Sequence, residues 1–154
     1  MAAALLIQRL SIAAFLAVWT SLKFLRPEWF GNVYKPFLDP AAYGVDWTTL
    51  AQAVGWAQAA LVVLFVLGLF RTPVYALVTA VHATGVLNAA VSGRLIDWSD
   101  PLGNPVWVNF PNNLLWTSVA TLGALVALFI MRRADRYTLD GLVRERRPHG
   151  ARAS

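Results

Sequence analysis

The sequence predicts an all-α membrane protein, a four transmembrane helix bundle with two aromatic-rich outer loops. Three observations carry that expectation. Of 154 residues, 58% are hydrophobic and only 14% charged, against the roughly 25% charged residues of an ordinary soluble domain, so there is too little polar surface to cover a water-soluble globule. Four apolar runs approach the ~20 residues needed to cross a hydrocarbon core of about 30 Å at about 1.5 Å per residue. Seven of the thirteen Lys and Arg residues lie between Arg132 and Arg152, directly after the last apolar run, where the positive-inside rule places cytoplasmic charge. That clustering accounts for the net charge of +5 without nucleic acid as a partner. The expected partner of most of the surface is the lipid bilayer.

The first span covers about 3–25, with Arg9 and Lys23 expected to snorkel toward opposite interfaces. In MAAALLIQRL the Arg follows the apolar residues, and no small-residue cleavage site closes the run, so the segment is expected to be a retained helix. The second span covers 50–70. The third, 74–91, follows the tight break Arg71-Thr72-Pro73, which is too short to be anything but a turn. The fourth covers 114–131. Residues 1–143 are thus expected to form the transmembrane domain and 144–154 a basic tail. Small residues at Ala13, Ala17 and Ser21, and at Thr117, Thr121 and Ala124, read as close-packing faces on the first and fourth helices.

Orientation follows from counting charges near the span ends. Arg9, Arg71 and the seven tail arginines make nine on one side, and Lys23, Arg26, Lys35 and Arg94 make four on the other. The expectation is a multi-pass protein of the cell inner (plasma) membrane with both termini cytoplasmic. On this topology all seven tryptophans fall in the outer half. The outer connections, 26–49 and 92–112, hold six of the eight prolines and a concentration of aromatic residues. One reading is ordinary interfacial placement of Trp. The other is an outer cap in which Trp29, Trp47, Trp98 and Trp107 dock a partner or amphipathic ligand.

With no cysteine, thiol redox chemistry, thiolate-bound metal and covalent haem are excluded within this chain. Intramembrane haem would need a second imidazole at the depth of His82, and the other histidine, His149, lies in the tail. No metal-ligand or Ser-His-Asp spacing appears, so no catalytic residue and no metal are expected. Polar groups inside a bilayer are costly and each is a functional hypothesis. Pairing the second and third helices about Arg71-Thr72 sets Gln58 level with Gly85, between His82 and Asn88, while Gly55 shares the face of Gln58. His82, Gln58 and Asn88 therefore read either as hydrogen bonds that hold helices together or as the lining of a quinone-like or proton-bearing site.

Several segments carry a family resemblance: Arg9 opening a first helix that ends Ser21-Leu22-Lys23-Phe24, the turn Leu67-Gly68-Leu69-Phe70-Arg71-Thr72-Pro73, the run Asn109-Phe110-Pro111-Asn112-Asn113-Leu114, and the closing Arg136-Tyr137-Thr138-Leu139-Asp140. Together they resemble the DoxX-like family of small four-helix integral membrane proteins. Where that family often has an acid early in the second helix, this chain has Gln58, which does not titrate. The resemblance implies a four-helix fold and association with membrane redox systems. The expected function is an integral subunit or anchor of a quinone-linked redox system, non-catalytic by itself, with other membrane or periplasmic redox subunits as partners. It would bind no cofactor covalently, with quinone as the candidate small molecule. The alternatives are a quinone-reactive oxidoreductase component in which His82 handles protons, or a small-molecule transporter. The internal repeats and broken helices usual in transporters are not seen.

Overall fold

The computed structural model of the protein describes residues 1–91 and 112–141, which are helices and turns with no strand among them. The first helix, α1, runs Ala2–Leu25. It stops because Arg26 precedes a proline, which disfavours helical backbone at that position, and Arg26 accordingly lies at φ −143° and ψ 62°. Pro27 then opens α2, Pro27–Tyr34, its fixed φ and missing N–H being tolerated in a first turn. The first connection, expected to be an aromatic-rich loop, thus contains an eight-residue helix. A 3-10 turn, Pro40–Tyr43, follows, with Asp39 capping it by accepting from the Ala41 N–H.

Asp46 caps the next helix, α3 (Trp47–Leu67). One carboxylate oxygen accepts from the Thr49 N–H at 2.9 Å and the other from the Thr49 hydroxyl at 2.6 Å, satisfying a donor that the helix leaves open. At its far end Gly68 adopts φ +65°, and its N–H reaches the carbonyls of Leu64 and Phe65. Phe70, at φ +49°, completes the reversal, and α4 runs Arg71–Val91. The turn is therefore Gly68-Leu69-Phe70 rather than Arg71-Thr72-Pro73. The glycine stops α3 about three residues before the expected end, and Pro73 sits inside the first turn of α4, where its missing N–H costs nothing. The last helix, α5, is Asn112–Ile130.

α1, α3 and α4 are each long and apolar enough to cross a membrane, which marks the chain as a membrane protein. α5 carries a shorter apolar stretch, Trp116–Ile130. α1 packs chiefly along α3 and α4 along α5, and α2 lies against α3 and α1. Leu5, Ile12, Leu16, Phe65, Tyr75, Val78, Leu125 and Leu128 form the core. The small-residue stripe of α1 divides: Ala13 is buried, whereas Ala17 and Ser21 are exposed. The buried face of α1 follows the row Leu5, Arg9, Ile12, Leu16 instead, and on α5 Thr117 is likewise exposed. Outward-facing Ile7, Trp56, Val63, Leu87 and Val119 give the bundle the apolar perimeter that lipid requires and water does not tolerate in a monomer of this size.

Candidate functional site

Two polar assemblies lie at opposite ends of the bundle. At the end carrying α2, parts of all five helices line a partly open cavity. Leu16, Leu61, Val62, Val78, Val81 and Val86 form its apolar walls, Trp19, Trp29 and Phe30 its aromatic ones, and Lys23, Tyr34, Gln58, His82 and Ser118 its polar points. α2 makes the cavity possible by lying across the ends of α1 and α3. Gly31 packs toward Trp47 of α3, where a Cβ would meet the ring at 3.4 Å, ordinary van der Waals contact. Trp47 in turn meets Phe30 edge-on with ring centroids 6.3 Å apart. Burial pushes the Tyr34 phenol above its ordinary value, so it stays protonated and able to donate.

The His82 Nε2 lies 2.9 Å from the Ser118 carbonyl oxygen. A carbonyl only accepts, so Nε2 carries the proton, and in the neutral ring Nδ1 is left as an acceptor. Phe15 fixes the ring edge-on at 5.9 Å between centroids.

Of the sequence-derived cluster, Gln58 and His82 line this cavity together and Asn88 does not. The lining of α4 runs from Val78 to Val86, and the earlier turn at Gly68-Leu69-Phe70 leaves Asn88 beyond its far end. The glycines also face other partners than α3 and α4 on each other. A Cβ at Gly55 would lie 2.8 Å from Phe24 of α1, and one at Gly85 would first meet the Tyr34 hydroxyl at 3.8 Å. Thr79 and Thr84 bond back to carbonyls of their own helix, as threonines in apolar helices commonly do. Trp29 lines the cavity and Trp47 braces it from behind. Trp98 and Trp107 lie outside the described residues, as does the second connection.

The second assembly was not foreseen. Arg9 does not snorkel: it is buried at 2% exposure, against an Asp135 at 0%. One guanidinium nitrogen lies 2.6 Å from Asp135 Oδ2 and donates to the Tyr75 hydroxyl at 3.1 Å, and the other donates to the Tyr137 carbonyl. The Tyr75 hydroxyl donates to the same carboxylate oxygen at 2.7 Å. Residues 131–141 are thereby drawn under the ends of α1, α3 and α4. Asp140 accepts from the Arg71 N–H at the start of α4, at 2.9 Å, and the Arg71 guanidinium donates to the carbonyls of Arg132 and Asp135. The signal in the sequence was Asp135 itself, a lone acid set among Arg132, Arg133 and Arg136. Charge counting for orientation gives such an acid little weight, so the count carries no sign of its pairing with Arg9.

No family model, curated protein or solved structure matches this chain.

Proposed function

We propose that the chain is a four-span protein of the inner (plasma) membrane with cytoplasmic termini, serving as a subunit or anchor for a quinone-linked redox partner and not catalytic by itself. The observation that supports this reading best is the cavity beside α2. It has the apolar walls and few convergent polar groups typical of small-molecule sites, at the end where the bundle would meet the outer interface. Tyr34 and the Gln58 amide can donate to ring carbonyls, and the aromatic walls of Trp19, Trp29 and Phe30 suit a flat ring. The resemblance to the DoxX-like family points the same way.

The test is direct binding of a short-tailed quinone such as decylubiquinone to the chain reconstituted in lipid nanodiscs. Wild type should bind saturably, and Gln58→Leu and His82→Leu should each bind about 10-fold more weakly, about 1.4 kcal/mol, while assembling normally. Linear, unsaturable uptake equal to that of empty nanodiscs would remove the reading.

A second reading, a quinone-reactive oxidoreductase component, is favoured by one detail. With Nε2 committed to the Ser118 carbonyl, His82 keeps Nδ1 to accept a proton from a bound quinol. If it does, His82→Leu should abolish partner-dependent quinol oxidation while leaving co-purification of the partner intact.

A further inference from the structure

We infer that the cavity beside α2 selects amphiphiles with an acidic head, whose anionic oxygen pairs with Lys23 and accepts from the indole N–H of Trp19. The inference deepens the quinone-site reading and rests on it. Lys23 and Trp19 are one turn apart on α1, so both project on the same side, and both line the cavity. Lys23 has no carboxylate partner among the described residues, where the three ion pairs are Arg9 with Asp135, Arg26 with Glu28 and Arg71 with Asp140. Among the described residues its ammonium is served by the Trp19 carbonyl at 3.4 Å and by the face of Phe30 at 5.9 Å. An ammonium has three donors and is costly to hold in an apolar wall without an anion. The Trp19 Nε1 is buried and has no hydrogen-bond partner among the described residues, although an indole N–H taken out of water ordinarily finds an acceptor. A buried indole N–H without an acceptor and an ammonium without a counter-anion thus belong to side chains that line a cavity whose other walls are largely apolar. The complementary ligand is an apolar molecule with a concentrated negative charge at one end. A carboxylate on an alkyl chain and the enolate of a hydroxyquinone share that chemistry, whereas a neutral quinone carbonyl answers the indole but leaves the ammonium without a counter-charge.

The experiment compares two probes on the full chain in phosphatidylcholine nanodiscs, by calorimetry at pH 7: a 3-alkyl-2-hydroxy-1,4-naphthoquinone, ionised at that pH, and its 2-methoxy ether, of nearly the same shape and without charge. The hydroxy form should bind at least about 10-fold more tightly to wild type. Lys23→Met should bind both alike, and Lys23→Arg should keep the preference, which a merely structural lysine would not require. Should Lys23→Met fail to assemble, the comparison on wild type still decides. Equal binding of the two probes to wild type overturns the inference while the amphiphile site stands, and binding of neither probe overturns both. Competition by laurate sorts the source: displacement assigns a carboxylate ligand, and retention of the hydroxyquinone against excess laurate assigns the ring enolate, either of which supports the acidic head.

Discussion

Arg9 shows how one residue can hold a membrane bundle to the segment that follows its last helix. A buried guanidinium is tolerable only with its charge paired and most donors satisfied, and Asp135, Tyr75 and the Tyr137 carbonyl supply that. Breaking such a pair strands a charge and costs about 3–5 kcal/mol, whereas replacing both partners with apolar groups of similar volume is often near neutral. Arg9→Met and Asp135→Asn should therefore each lower the thermal midpoint in nanodiscs sharply, and Arg9→Met with Asp135→Leu should recover most of the loss. A double variant as unstable as the sum of the singles would show that the two side chains are not coupled as a pair. Gly68 is constrained by the same assembly. It sits at φ +65°, and a Cβ there would lie 2.6 Å from Thr138 and 2.9 Å from Arg9. Gly68→Ala combines left-handed strain with overpacking, each costing on the order of 1–3 kcal/mol, so it should destabilise more than Gly123→Ala, where nothing lies within 4 Å.

At the scale of elements, ends were harder to read than spans. Hydropathy located α1, α3 and α4 because apolar content accumulates over twenty residues, but it says nothing about where backbone hydrogen bonding stops. Caps decide that, and two single residues, Asp46 and Gly68, moved α3 by about three positions and with it the register of every residue facing α4. The cap at Asp46 has a pH signature. Hydrogen bonds from the Thr49 side chain and backbone hold its carboxyl below the ordinary carboxylate value. A depressed folded pKa stabilises above the unfolded pKa, near 3.9, and that stabilisation fades as pH falls through the folded value. Thermal midpoints of wild type and Asp46→Asn should then differ at pH 6 and converge below about pH 4. A gap that stays constant between those conditions would mean that the carboxylate charge does not contribute to the cap. The aromatic first connection was legible as something more than a tether. Its folding into a helix that walls a cavity was not, because Pro27 reads as a breaker in sequence and acts as an initiator in place.

For the whole molecule, the orientation proposed from the arginine count has a clean test, since the chain contains no cysteine. Single cysteines at Ser92 and Ser154 in intact cells should be labelled by an impermeant maleimide at the first position and protected at the second. The reverse pattern would invert the assignment of the α2 cavity to the outer side.

The sequence by itself determined that the chain is helical, that it is apolar enough to live in a bilayer and that its polar interior residues are few enough to enumerate. These are sums over many residues, and no single contact alters them. Gln58 and His82 were identified in that way, as was the weight of aromatic side chains in the first connection. Only the tertiary structure decided which of those residues come together: Gln58 and His82, but not Asn88, around one cavity, Gly55 against Phe24 of α1, Lys23 and Trp19 at one cavity wall, and Arg9 with an aspartate 126 residues away in the chain. Such pairings depend on helix ends, on register and on a carboxylate brought back from beyond the last helix. Each is settled by one or two backbone angles and by the cost of leaving a charge or an N–H unpartnered, which periodicity and composition do not encode.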